Sequence, residues 1–260
     1  MFVDVPGGRL AYDSVGEGPL VVCVPGLGDT REAYRALRPR LVEAGYRVVT
    51  ADLRGHGESS PGWDDYSQAA VGGDIVALLE ELDAPGAVLL GNSYAGGGIV
   101  QAAAQAPERV AGIVPIDGFI RAIPLNIAIR ALLRLIAASP RLWGLYYGTA
   151  HPTAKPADLT EHRAKLVAML RDPQRREAMR TMLLNRELDA EHVVGHVRCP
   201  ALVLMGAKDP DFPDPAAEAQ IQASLLRGQA VVIDDAGHYP MSEFPERTAE
   251  ALLPFLKNVF

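Results

Sequence analysis

Cysteine is scarce in this sequence. There are two in 260 residues, Cys23 and Cys199, and neither belongs to a CxxC pair. Both sit beside apolar, strand-like runs and read as buried free thiols, so no disulfide framework is expected. Positive charge is also short: 25 Lys and Arg face 32 Asp and Glu, for a net charge of −7. That argues against nucleic acid as a partner, because phosphate binding needs a basic surface. No apolar run is long and charge-free enough to span a bilayer. The nearest, Phe119 to Ala138, is interrupted by Arg121, Arg130 and Arg134. Met1 to Gly8 has neither the basic nor the apolar region of a secretory signal, so the cytoplasm is the expected compartment. Internal repeats and low-complexity tracts are missing. No HExxH spacing occurs and no phosphate loop opens a helix, so neither a metal nor a cofactor is expected.

What is present points to one large α/β core. Apolar residues make up 48% of the chain and charged residues 22%, enough for a sizeable buried interior. Two β segments, Phe2–Val5 and Arg9–Ser14, flank Gly7-Gly8, a two-residue hairpin signal. Short continuous apolar runs follow at Leu20–Val24, Arg47–Ala51, Ala87–Leu90 and Val110–Ile116, separated by helical patterns at Thr30–Ala44, Asp64–Leu82 and Ser93–Gln105. Strands of this kind are buried on both faces, and their alternation with helices implies a mostly parallel, doubly wound sheet. The alternation stops near Gly118. Helical patterns then fill Asn126–Ala138, Ala157–Leu170 and Pro173–Leu188. It resumes with Ala201–Met205, helix Pro215–Leu226, Ala230–Ile233 and helix Pro245–Asn258. The expectation is a sheet of about eight strands formed by residues 1–117 and 198–260. Residues 118–197 would be a helical cap inserted after the sixth strand. Charge sets that segment apart: residues 118–195 hold 12 Arg and Lys against 7 Asp and Glu, leaving −12 on the rest of the chain.

Ser93 is the candidate nucleophile. It lies in Gly91-Asn92-Ser93-Tyr94-Ala95, directly between an apolar strand and a Gly-rich helix start. Of eight serines, it alone has small residues two before and two after, as a sharp strand-to-helix turn requires. The helix N-terminus offers free N–H groups to an oxyanion, and the Tyr94 N–H is one candidate donor. Glycines in Pro25-Gly26-Leu27-Gly28 follow another buried strand and make the Leu27 N–H the second. The loop Asp52–Ser59 contains His56, read as part of a polar loop tied down by internal hydrogen bonds rather than as a base.

Taken in order, the Pro25-Gly26 turn, the D-x-R-G-x-G-x-S pattern of Asp52–Ser59, the serine turn, Gly206-Ala207-Lys208-Asp209 and Gly237-His238 resemble the α/β-hydrolase family over nearly the whole chain. Pro25, where many members carry His, and Ala95, where many carry Gly, depart from that pattern. The resemblance implies the order serine, acid, histidine, with Asp209 as the acid and His238 as the base. Both follow strands, as does Ser93, so all three fall at one edge of the sheet. Asp117, also after a strand, is the main rival acid; Asp211 and Asp214 share the Asp209 loop and read as caps or solvated charges. His151, His162, His192 and His196 read as surface or cap residues. The expected activity is cleavage of a carboxylic ester, thioester or lactone of a small, largely apolar acyl substrate, with Phe119, Trp143, Tyr146 and Tyr147 as candidate pocket residues. A C–C bond hydrolase or cofactor-free perhydrolase on the same residues, and a ligand receptor with little turnover, are the alternatives. Phe119–Trp143 also has the arginine spacing of an amphipathic surface anchor, but a cap helix needs the same pattern, so membrane contact is not expected.

Overall fold

The apolar runs pair into one eight-stranded sheet in the computed structural model, which describes residues 1–84, 86–124, 126–185 and 188–260. In chain order the elements are β1 (Phe2–Val5), β2 (Gly8–Val15), β3 (Leu20–Val24), α1 (Arg38–Glu43), β4 (Arg47–Ala51), α2 (Gln68–Glu81), β5 (Ala87–Asn92), α3 (Tyr94–Gln105) and β6 (Val110–Ile116). Four helices come next: α4 (Ile127–Ala138), α5 (Pro140–Thr149), α6 (Leu159–Met169) and α7 (Pro173–Leu184). The chain closes with β7 (Leu202–Gly206), α8 (Pro215–Leu226), β8 (Gln229–Ile233), α9 (Pro240–Glu243) and α10 (Pro245–Val259). The spatial order is β1-β2-β4-β3-β5-β6-β7-β8. The β1–β2 and β2–β4 pairs are antiparallel and every other pair is parallel.

Helices cover both faces, which explains why the central strands read as unbroken apolar runs. In β3, Leu20, Val22 and Val24 enter one core cluster while Val21 and Cys23 enter the other. In β5, Ala87 and Leu89 point one way and Val88 and Leu90 the other. Both cysteines are free; Cys23 is buried and Cys199 half-buried.

Several boundaries differ from the sequence reading, each for a local reason. The hairpin turns at Pro6-Gly7 rather than Gly7-Gly8: Val5 pairs with Gly8, and Gly7 takes the positive φ of 92° that a Pro-Gly turn places on its second residue. The helix expected over Thr30–Ala44 is split into a 3-10 turn at Arg31–Tyr34 and the short α1. Pro39 sits in the first turn of α1, where no N–H is needed. The helix expected from Asp64 begins at Gln68, because the Ser67 hydroxyl caps it by accepting from the Ala70 N–H at 3.1 Å. Helix α5 escaped the periodicity reading. Its signal is the Ser139-Pro140 start, and its anchors are the buried Trp143 and Tyr147.

The loop after β4 is held by a dense polar network. Asp52 accepts from the N–H groups of Arg31 at 2.7 Å and Glu58 at 2.9 Å, and also from the Arg31 guanidinium. Ser59 Oγ donates to the Asp52 carbonyl at 3.0 Å and accepts from the Ala11 N–H at 3.0 Å. Arg54 is buried and makes a two-pronged ion pair with buried Asp74 of α2, both contacts at 2.7 Å. It also lies over the Trp63 ring at 4.5 Å. Removing one partner of such a pair strands the other charge. Asp74→Ala is therefore expected to cost about 3–5 kcal/mol in urea unfolding, and much less in the Arg54→Met/Asp74→Ala double variant.

His56 lies in the same loop, fully buried, with Nδ1 3.0 Å from the Arg54 carbonyl oxygen. Burial holds its pKa down to about 4, from an ordinary 6.5. Between those values the unfolded chain binds more protons than the folded one. The stability contributed by the neutral ring is therefore full above pH 6.5 and lost as pH falls toward 4. The stability gap between wild type and His56→Asn should narrow on acidification through that window. A constant gap in urea midpoints would show that the ring is not kept neutral.

Candidate active site

Turns at the ends of β5, β6, β7 and β8 place Ser93, Asp117, Asp209 and His238 along one edge of the sheet. Strand β5 ends at Asn92 and α3 starts at Tyr94, so Ser93 alone must reverse the chain. It does so at φ 55° and ψ −122°, a conformation closed to most side chains. Small neighbours make the turn possible. A Cβ on Gly91 would fall 2.4 Å from the Ala95 carbonyl oxygen, and one on Gly26 would fall 2.7 Å from Ser93 Cβ. The backbone is pinned on each side. Ser93 N–H donates to the Ile116 carbonyl at 3.0 Å, and the Ser93 carbonyl accepts from Gly96 and Phe119, both at 2.9 Å. The Ser93 hydroxyl does not cap α3, so it is not committed to the helix it precedes. Gly26 brings the turn after β3, including buried Leu27, against Ser93. The first-turn N–H groups of α3 have no acceptor within the helix.

His238 stands on the loop after β8 with Nδ1 2.7 Å from Asp209 Oδ2. Of the two carboxyls that the sequence leaves open, Asp209 is the one hydrogen-bonded to the imidazole. Its Oδ1 accepts from the Asp211 N–H at 2.9 Å. Asp211 Oδ2 lies 3.7 Å from His238 Nδ1, and its carboxylate accepts from the Tyr146 hydroxyl at 2.5 Å. Asp214, read as a cap, is the N-cap of α8 and accepts from Ala217.

Asp117 is fully buried at a positive φ of 46°. Its Oδ1 accepts from the Gly206 N–H at 2.8 Å, and its Oδ2 is buried with no partner. Burial, then the charge of Asp209, pushes its pKa well above the usual carboxylate range and so favours its neutral form. Burial opposes the charged form of His238, but the charges of Asp209 and Asp211 and the Asp209 hydrogen bond outweigh it and make the ring more basic than a free imidazole. Burial also raises Asp211.

One ligand atom each from Asp117, Asp209 and His238 would fit within 4.8 Å of one another. The 2.7 Å contact between His238 and Asp209 is shorter than the separation of about 3.3 Å that two ligands of one tetrahedral zinc would keep. The trio reads as a hydrogen-bonded acid–base cluster rather than a metal cage.

The candidate pocket residues fall in different places. Phe119 stacks on Phe212 with ring centroids 4.9 Å apart and lies 6.2 Å from the His238 ring. Trp143 is buried, and its Nε1 donates to the Gly28 carbonyl at 3.1 Å. Tyr146 meets Trp143 at 5.3 Å and reaches Asp211. Tyr147 is committed elsewhere: its hydroxyl donates to Asp29 Oδ2 at 2.8 Å, and its ring packs on Tyr239 and His151. Asp29 Oδ1 pairs with His162 Nε2 at 2.8 Å and accepts from Thr30 N–H at 2.7 Å. Burial alone would raise Asp29, but His162, Thr30 and Tyr147 together hold it below the usual range.

Several contacts around His238 were invisible in the sequence. Asn92 Nδ2 donates to the carbonyls of Ile116 at 3.1 Å and His238 at 3.0 Å, tying the serine turn to the histidine loop. Glu243 Oε1 accepts from the Gly237 N–H at 2.8 Å, and burial pushes its pKa up to about 7. The His238 N–H donates to the Ala150 carbonyl at 3.0 Å. His151 and His162, read as surface or cap residues, are buried, whereas His192 and His196 are exposed. Asn92 was visible as the residue before the serine. The Ala150 and His162 contacts have no short-range signal, because their partners His238 and Asp29 lie far away in the chain.

A protein of Mycobacterium tuberculosis, described as uncharacterized, is 26% identical over 275 residues, covering 98% of this chain and 80% of that one. Among solved structures, a thermophilic esterase from Thermogutta terrifontis superposes with a TM-score of 0.78 at 28% identity, covering 100% of this chain and 98% of that one. An esterase from Rhodococcus sp. ECU1013 gives 0.82 at 25% identity, with the same coverage. The family model of the alpha/beta hydrolases matches residues 21–251. By this match and by its fold, the chain belongs to the alpha/beta hydrolase family.

Proposed function

We propose that this protein is a serine hydrolase that cleaves a carboxylic ester, thioester or lactone of a small, largely apolar acyl compound. One observation carries this reading. Ser93 occupies a strained turn with its hydroxyl uncommitted to α3, on the same sheet edge as a buried His238 hydrogen-bonded to Asp209. The esterases among its structural relatives support the choice of substrate class. Asn92, whose place before the serine also fits C–C bond hydrolases, has its amide hydrogens on two backbone carbonyls. It lends no weight to that alternative.

In the proposed reaction His238 Nε2 takes the Ser93 proton as Oγ attacks the acyl carbonyl. Asp209 holds the Nδ1 proton, fixes the tautomer and stabilises the imidazolium. The oxyanion accepts from the N–H groups of Tyr94 and Leu27. Collapse breaks the bond to the leaving group, which takes the proton from His238. Water then attacks the acyl-enzyme with His238 as base, releasing the acid and restoring Ser93. Burial biases Asp117 toward its neutral form, in which it places no second negative charge beside Asp209. In this reading residues 118–197 form a cap over the core of residues 1–117 and 198–260, with Phe119, Trp143 and Tyr146 bordering the acyl site.

A serine-reactive fluorophosphonate is expected to give one adduct, on Ser93 by peptide mass spectrometry. Ser93→Ala should give none, and His238→Ala should react far more slowly. A folded wild type that takes up no label would remove the enzyme reading and favour a ligand receptor.

Turnover of a short activated ester separates the two carboxyls. Asp209→Asn should lower kcat on the order of 10⁴-fold, whereas Asp117→Asn should stay within roughly tenfold. The opposite ranking would move the acid role to Asp117. The environment of His238 also sets a pH signature. The neutral ring is the active form, and the Asp211 charge raises its pKa. Asp211→Asn should therefore shift the acid limb of kcat/KM to lower pH, and an unmoved limb would show that another group controls it.

A further inference from the structure

Helix α4 presents its apolar side to solvent. Ile127 is 84% exposed, Leu132 54% and Leu135 60%, and Leu145 of α5 beside it is 61% exposed. Within α4 only Ile136 and Ala137 are buried. At 100° per residue, Ile127, Ala128, Ala131, Leu132, Leu135 and Ala138 share one arc of the wheel, all exposed and none charged. This is the reverse of a helix that buries its apolar stripe.

The charges at its margin have one sign. From residue 118 to 157 the sequence holds no Asp or Glu but five basic residues: Arg121, Arg130, Arg134, Arg141 and Lys155. Arg121 pairs with Glu218. Arg130, Arg134 and Arg141 form no ion pair among the described residues, and Arg130 Nε is buried without a partner. A second copy of this face would set three unpaired arginines against three. An anionic surface with an apolar interior would satisfy both features at once. The rest of the chain carries −12, so the basic segment that includes α4 and α5 is the part an anionic surface would attract. No helix among the described residues is long and apolar enough to cross a membrane, so the contact is superficial.

We propose that the α4–α5 face docks on the surface of a phospholipid bilayer containing anionic lipid, with Ile127, Leu132, Leu135 and Leu145 entering the acyl boundary and Arg130, Arg134 and Arg141 meeting headgroup phosphates. The proposal does not depend on the role of Ser93.

The test is co-sedimentation of the full chain with vesicles of phosphatidylcholine alone or mixed with phosphatidylglycerol. Binding is expected to the mixed vesicles at low salt, to be weakened by high salt and to be slight without phosphatidylglycerol. Leu132→Glu/Leu135→Glu should weaken it more than about tenfold. Arg134→Gln/Arg141→Gln should weaken it roughly fivefold for each charge removed. Ile221→Glu, at an exposed apolar residue on α8, should bind like wild type. Circular dichroism checks that each variant is folded, and the arginine pair carries the test if the leucine pair is not. Absence of vesicle binding, equal binding to both vesicle types, or undiminished binding by folded variants would overturn the proposal. So would a concentration-dependent dimer in sedimentation velocity that the Leu132→Glu/Leu135→Glu pair abolishes, since the face would then serve self-association.

Discussion

The architecture turns on a single residue forced out of its comfortable backbone geometry. Ser93 holds φ 55° and ψ −122°, and a conformation of that kind persists only where its surroundings over-determine it. Here they do so from several directions. Strand β5 lies in the interior of the sheet between β3 and β6, so the start of the turn cannot drift. The turn after β3 contributes Gly26 at a distance no side chain would permit. The end of β6 accepts the Ser93 N–H, and Phe119 just beyond it donates to the Ser93 carbonyl. Asn92 then links the same turn to the His238 carbonyl. The strain of one residue is thus distributed over loops that follow β3, β5, β6 and β8, and these loops converge on one edge.

Electrostatics at that edge follow from crowding. Three carboxyl groups, Asp117, Asp209 and Asp211, surround one buried imidazole. They cannot all be ionised at low cost. Burial and the charge of Asp209 push the pKa of Asp117 upward, biasing the proton toward it. Asp209, which accepts from both the His238 ring and the Asp211 N–H, is the one best provided with donors. Tyr146 donates to Asp211, so the helical segment between β6 and β7 takes part in setting the charge state of groups on the sheet edge.

The sheet was legible because its strands are short, apolar and flanked by turn residues, and because covering on both faces leaves no alternation to misread. Ser93 was legible from Gly91 and Ala95, whose smallness the turn requires. The order of Asp209 and His238 came from the family resemblance, and their post-strand positions are what the sheet converts into proximity. What could not be read depends on contacts between residues far apart in sequence. His162 carries no sign of its pairing with Asp29, 133 residues away. Helix α5 lacks a clear apolar period because Trp143 and Tyr147 bury into the loop after β3 and the second core cluster rather than onto a single partner helix. The outward apolar face of α4 was hidden for the opposite reason: periodicity reports that a stripe exists, not which way it points.

The buried contacts of Asp29 have a mechanical meaning. Its carboxylate is bonded to Tyr147 of α5 and to His162 of α6, so lifting either helix would strand a buried charge, a penalty of several kcal/mol. Helix α4 is restrained by two buried side chains and its asparagine cap. Local opening in this segment is therefore graded along the chain, cheap at α4 and expensive at α5 and α6. Thermal energy at ordinary temperature would loosen the first helix of the segment while the next two stay fastened.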